Sequence, residues 1–312
     1  MLSRRLLRIK AVKALYAHLQ SEGDNMIVSE KSMMASIDRS YDLYFQMMIL
    51  PMEIAAYMSS RQEIDMKKHL ATYEDLNPNT KLIDSALVQL ISSSDSINDY
   101  VSSRKLGWQT SPELIKTLYN QFSERDVFKN YMTSQQNSLK EDIALWEDFY
   151  VNDVQNCELL DEVLEEQTLM WCGDLSYVLP LVTRTFSSIR PSHTEIKVVR
   201  KFKCEDDEKF VRTLFEKSLI NYNYNQEYIE RYTQNWDVER IVFMDILIMV
   251  VAMSEFVSFP DIPVKVTMDE YIEIAKNYST PGSGVFVNGI LDKLANSLTE
   301  EGALVKVGRG LL

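Results

Sequence analysis

Two stretches of this 312-residue chain hold the residue types that grip a phosphate and stack a base. The first, "RRLLRIKAVK", runs from Arg4 to Lys13 and carries Arg4, Arg5, Arg8, Lys10 and Lys13 with no acid among them. Tyr16 follows on the same segment. Cationic side chains that neutralise phosphates release condensed counterions, so such an arm is a usable phosphate contact. The second stretch, "TPGSGVFVNGILDKLA", spans Thr280 to Ala295 and places Phe286, Asn288 and Gly289 in what reads as the opening of a helix. Asn and Gly are poor helix formers, Gly costing about 1 kcal/mol relative to Ala, so propensity alone does not explain them. A basic groove with aromatic platforms is the chemistry of single-stranded nucleic-acid binding, with about 1–3 kcal/mol per stacked base. Each signal also has a plainer reading. The arginines could simply be a solvated helix end, Tyr16 and Phe286 could pack in a core, and Gly289 could admit a neighbouring helix.

Other chemistry finds little support. The chain has no phosphate-binding glycine loop, no GxGxxG, no GxSxG and no HExxH. Asp206 and Asp207 sit at a helix start, where carboxylates favour the helix dipole. Cys157, Cys172 and Cys204 form no CxxC pair, and their odd number fits reduced thiols rather than a disulfide framework. His18, His69 and His193 are far apart in sequence, so no zinc pattern is visible. We therefore expect no catalytic residues, no metal and no cofactor. The net charge of -13 would by itself repel nucleic acid and anionic membranes; the basic arm is the exception. Lys10, Lys13 and His18 interrupt what would otherwise resemble a secretory leader, and the expected location is the cytoplasm.

The elements that must position these residues read as helices. The chain has only 9 Gly and 8 Pro, and Leu, Ile, Met, Glu and Lys are plentiful, so the expected class is all-α. A first helix covers 3–20, with the arginines at its exposed beginning, and "SEGDN" ends it. Helical material fills 29–70, kinked or divided by Pro51. Another helix ends near Ser93, and one opens with Ser111 as N-cap and Pro112 at the first position. Helices continue over 113–170, with a break near 172–180. Ser187 to Phe210 is the expected internal boundary and contains a weak β-like run. A helix follows over Asp206–Ile220, then a turn over Asn221–Asn225 and a short helix "QEYIERYTQNW". Ile241–Met253 is apolar apart from Asp245, too short to span a membrane, and reads as a buried core helix. Phe259–Val266 is a loop, and Thr267 with Glu270 reads as a capping box on a helix that buries Met268, Ile272 and Ala275. The last helix buries Val287, Leu291 and Leu294, and beyond Ala295 the tail reads as frayed. The domains expected are 1–205, including an insertion over about 60–200, and 206–312.

Four segments taken together, "RRLLRIKAVKALY", "NWDVERIVFMDILIMVVAMSEF", "DIPVKVTMDEYIEIAKNYS" and "FVNGILDKLA", resemble the NusB family of transcription antitermination factors. The resemblance covers about 3–20 and 205–296. It departs at the insertion, at Val250, where a basic residue is frequent, and at Gly282, where an acidic one is common. It implies two small helical bundles and a non-catalytic role. The implied partners are boxA-like single-stranded RNA of ribosomal RNA leaders, a small ribosomal protein (NusE), and the elongation complex of RNA polymerase with other Nus factors. RNA-binding roles fall to Arg4, Arg5, Arg8, Tyr16, Phe286, Asn288 and Lys293, and partner-binding roles to Tyr16 and Asp245. An all-α interaction scaffold without RNA binding is the alternative.

Overall fold

Ser3 opens the first helix: its hydroxyl accepts the Leu6 amide at 3.2 Å, one of the donors that a helix start leaves without a backbone partner. The structure, a computed structural model, describes residues 1–21, 25–233 and 242–311. Residues 22–24 of the "SEGDN" stretch, the whole of "NWDVERI" and the close of the "QEYIERYTQNW" helix lie outside the described residues. Helix α1 is Arg4–Gln20, α2 Met26–Met48 and α3 Leu50–Met66. Pro51 stands in the first turn of α3, where its missing amide costs nothing, so it divides the helices. There follow α4 (Tyr73–Leu76), α5 (Ala86–Ser93), α6 (Asp95–Arg104), α7 (Pro112–Glu124), α8 (Asp126–Thr133), α9 (Leu139–Phe149), α10 (Glu158–Gln167) and α11 (Leu175–Ser187). The chain closes with α12 (Glu205–Ile220), α13 (Tyr222–Thr233), α14 (Phe243–Ser258), α15 (Val264–Tyr278) and α16 (Ser283–Glu300). No strand occurs among the described residues, and the fold is all-α.

The chain forms two compact units that cut across the boundary expected at 205. One comprises Met1–Leu2 with Asp38–Lys201, the other Ser3–Ile37 with Phe202–Leu312. The basic first helix therefore belongs with the C-terminal helices. The 38–201 unit is built on aromatic packing: Phe122 lies 5.6 Å from Trp146, and Trp146 meets Phe149 edge-on at 5.3 Å. Its buried carboxylate, Asp42, accepts the Tyr100 hydroxyl and both Arg104 donors at 2.8 Å each, which offsets the cost of burying the charge. In the other unit, α1 packs on α12 and α14, and α14 is enclosed by α12, α13, α15 and α16. Leu247 to Phe256 are all buried, as the reading of Ile241–Met253 as a core helix requires. No helix of the described residues is long and apolar enough to cross a membrane.

Several local expectations are corrected. Only Asn221 separates α12 from α13, so the turn does not extend to Asn225. The break expected near 172–180 is confined to 172–174, and Pro180 lies inside α11. The proposed capping box is absent: α15 starts at Val264, and Thr267, fully buried, donates its hydroxyl to Glu255 at 2.9 Å. The buried face of α15 is Thr267, Tyr271, Ile274 and Ala275, with Met268 and Ile272 at its margin. The β-like run before Phe210 is irregular chain.

The tail is also ordered. α16 continues to Glu300, Leu304 is buried, and the Val307 amide donates to the Pro260 carbonyl at 3.1 Å. The Lys306 ammonium donates to the Phe256 and Phe259 carbonyls at 2.9 and 3.0 Å. Phe256 is in the last turn of α14, whose carbonyls lack intrahelical donors, so the tail completes that helix end. Burial pushes the Lys306 pKa down. Lys306→Met should remove about 1–3 kcal/mol of stability, measured by urea denaturation; an unchanged midpoint would show that water serves those carbonyls equally well.

Candidate nucleic-acid interface

The three arginines of α1 take different environments because they lie on different sides of the helix. Arg8 is 3% exposed. Its Nε and Nη2 each donate at 2.8 Å to the two carboxylate oxygens of Glu255, which is itself fully buried. Glu255 also accepts the Thr267 hydroxyl at 2.9 Å and the Tyr271 hydroxyl at 3.0 Å. Burial alone would lower the Arg8 pKa, but Glu255, Tyr271 and Glu270 together hold it above its ordinary value. Burial and the Glu255 carboxylate push the Tyr271 phenol well up. The expectation that Arg8 stands exposed at the helix beginning is corrected: it ties α1 to α14.

Arg4 and Arg5 retain exposed side chains, 44% and 37%. Arg5 donates to both oxygens of Glu270 at 2.8 and 2.9 Å. Arg4 donates to Asp207 at 2.9 Å, and its guanidinium stands 5.0 Å over the Phe210 ring. Lys10 is buried, and the Lys13 ammonium lies 5.0 Å from the Tyr278 ring centre. The run that reads as a +5 arm is thus largely met by carboxylates and rings from distant helices.

At the other end of α1 the chemistry is aromatic. Tyr16 is 41% exposed and its ring lies 5.9 Å from that of Phe243, itself 39% exposed. Phe243 opens α14. The sequence reading missed it, although it is the single aromatic in the run Ile241–Met253. Two residues on, Asp245 is buried and accepts the Ser283 hydroxyl at 2.9 Å. Its other oxygen has no hydrogen-bond partner among the described residues. This carboxylate anchors the start of α16 and does not face solvent.

α16 then presents the second stretch. Val287, Leu291 and Leu294 are fully buried, Asn288 and Lys293 are exposed, and Phe286 is half-buried beside exposed Val285. A chain of contacts runs from Tyr16 through Phe243 and, two residues along α14, from Asp245 to Ser283, one turn from Phe286. Gly282 precedes the helix at φ +96°, a conformation that favours glycine. The Ser283, Val285 and Phe286 amides are already bonded to the Thr280 and Gly282 carbonyls, so the opening turn does not offer those three donors to a ligand. Among the described residues nothing lies within 4 Å of where a Cβ would stand at Gly289, so close packing of a described helix does not account for it.

The predicted residues thus form two groups on the unit containing α1. Arg4 and Arg5 lie at the amino end of α1, beside Asp207 and Glu270. Tyr16 lies at its carboxyl end with Phe243, from which the contacts lead to the opening of α16. No cluster of three or more metal-ligand side chains occurs among the described residues.

Residues 190–296 match the model of the NusB family. The transcription antitermination protein NusB of Salinibacter ruber is 43% identical over 103 residues, 33% of this chain and 64% of the relative. That of Natranaerobius thermophilus is 36% identical over 92 residues, 30% of this chain and 66% of the relative. That of Chloroherpeton thalassium is 37% identical over 115 residues, 37% of this chain and 53% of the relative. The chain thus covers less than two thirds of the length of these relatives. A solved structure of T. maritima NusB is 28% identical, with a TM-score of 0.29, over 43% of this chain and 84% of that one.

Proposed function

We propose that this chain, which carries a NusB-family domain at residues 190–296, is a non-catalytic transcription antitermination factor. In this reading it binds boxA-like single-stranded RNA of ribosomal RNA leaders together with the small ribosomal protein NusE, and joins the cytoplasmic elongation complex of RNA polymerase and other Nus factors. The observation that supports RNA binding most is the exposed Tyr16–Phe243 ring pair, 5.9 Å apart, with the Phe286 turn of α16 connected to it through Asp245 and Ser283. Exposed rings accept unpaired bases by stacking. Asn288 and Lys293, both exposed on α16, extend that surface with a polar group and a cation. Val250 is fully buried, so its departure from the family pattern removes no surface cation here.

The test is fluorescence anisotropy of a labelled boxA-like RNA, titrated against salt, with and without the ribosomal protein. The expected result is affinity that falls linearly on a log–log plot against salt and rises when the protein partner is added. No binding at low salt in either condition would overturn the reading. Arg4→Ala with Arg5→Ala should flatten the slope by about 1–1.5, the share of two phosphates on a single strand. Both side chains already hold carboxylates, so a smaller change would mean that they never release them for phosphate.

The alternative, an interaction scaffold on the same fold, is favoured by one observation. Arg4, Arg5 and Arg8 all pair with acids, Asp207, Glu270 and Glu255. A chain that bound the ribosomal protein but not the RNA would establish it.

A further inference from the structure

The unit that contains α1 also holds a cavity that shares Arg4 and Phe210 with the interface above. Its volume is about 590 Å³, and it lies among α12, the loop after α14 and the C-terminal turn. That size is in the range of small-molecule sites, about 300–1,000 Å³. Arg4, Lys209 and Arg309 line it with three cations, Phe210 and Phe259 supply aromatic wall, and Asp206 and Asp261 add two carboxylates.

Arg309 is placed there by its neighbours. The Val307 amide is bonded to the Pro260 carbonyl at 3.1 Å. Gly310 is buried against that same carbonyl, which would stand 1.9 Å from a Cβ at this position. Gly308 turns the chain at φ +52°. Only glycine fits at 310, and the tight seat of the turn directs the intervening arginine into the cavity. Lys209 and Arg309 are both exposed. Neither forms an ion pair or hydrogen bond among the described residues, although Asp206 and Asp261 line the same cavity. The rings of Phe210 and Phe259 lie 4.8 Å apart and tilted by 57°, and Phe259 is only partly buried.

We propose that this cavity binds a nucleoside phosphate, with the base against Phe259 and the phosphate between Lys209 and Arg309. A guanidinium matches phosphate oxygens in a two-pronged geometry, and an ammonium adds a point charge. The carboxylates argue for a whole nucleotide. Arg4 already meets Asp207, so two acids face two further cations and leave little net charge for a bare polyanion, but they accept hydrogen bonds from base amino groups or ribose hydroxyls. The nucleotide can be free in solution or part of a bound RNA, and the second source rests on the function proposed above.

The experiment uses the full chain with two probes: N-methylanthraniloyl-ATP followed by fluorescence, and a short boxA-like RNA followed by anisotropy. Saturable binding of the free nucleotide, weakened about tenfold or more in Arg309→Ala and in Lys209→Ala, supports a free-nucleotide site. No free-nucleotide binding, but an RNA affinity lowered about tenfold in Arg309→Ala, supports a nucleotide of the RNA. Gly310→Ala should reproduce either loss by pushing the turn off Pro260, with helical circular dichroism unchanged. Nucleotide binding absent from the wild type, with RNA affinity equal in wild type and Arg309→Ala or with no RNA bound at all, overturns the proposal. So does inorganic phosphate competing as well as the nucleotide, because the base would then contribute nothing. Failure of RNA binding alone defeats the proposed function while the free-nucleotide measurement still decides this site.

Discussion

Arg8→Ala lowers the stability of the α1-containing unit by about 3–5 kcal/mol, the cost of leaving a buried partner charge uncompensated. Glu255 has no access to water and would keep only the Thr267 and Tyr271 hydroxyls. A charge so enclosed either stays at high cost or takes up a proton. The thermal midpoint should fall by about ten degrees or more. Arg4→Ala, whose side chain is 44% exposed, should cost under about 1 kcal/mol, as surface pairs do. Arg8→Met combined with Glu255→Gln removes both charges, keeps an acceptor oxygen for one of the two hydroxyls and offers an amide donor to the other oxygen, so it should recover much of the loss. If Arg8→Ala melts like the wild type, the buried pair does not hold α1 in place and the arginine is accessible after all. The comparison also separates folding from binding: an RNA defect in Arg8→Ala would follow from displacement of α1.

Tyr16→Ala and Phe286→Ala should each weaken RNA binding by about 1–3 kcal/mol, or about 5- to 150-fold. Tyr16 is 41% exposed, and its loss should hardly move the melt. Phe286 is half-buried, so its truncation should cost some stability, but less than the roughly 3–5 kcal/mol of a core phenylalanine. Leu291→Ala is the contrast: fully buried on the same helix, it should cost about 2–5 kcal/mol of folding and affect RNA only through the fold. A Phe286→Ala protein that melts ten degrees lower and binds RNA normally would place that ring in the core. Phe243→Ala serves as a check on the pair, since a base stacked on Tyr16 would meet the neighbouring ring as well.

The helices themselves were legible in the sequence because helix formation is a local matter. Spacing of apolar residues placed Val287, Leu291 and Leu294 on one buried face. Pro112 marked a helix start and Pro51 a kink or division by their missing amides, and the long apolar run after Ile241 read as core. The motifs within 190–296, the stretch that matches the NusB family model, were equally legible, being order and spacing along the chain. What the sequence could not decide was which charges meet. Arg8 finds Glu255 across 247 residues, Arg5 finds Glu270 across 265 and Arg4 finds Asp207 across 203. A basic run that looks like an unopposed arm becomes a set of ion pairs only when distant helices bring their carboxylates beside it. The grouping of α1 with the C-terminal helices and the seating of the tail on Pro260 were settled in the same way. Periodicity tells a helix which face to bury; only the assembled unit determines what that face is buried against.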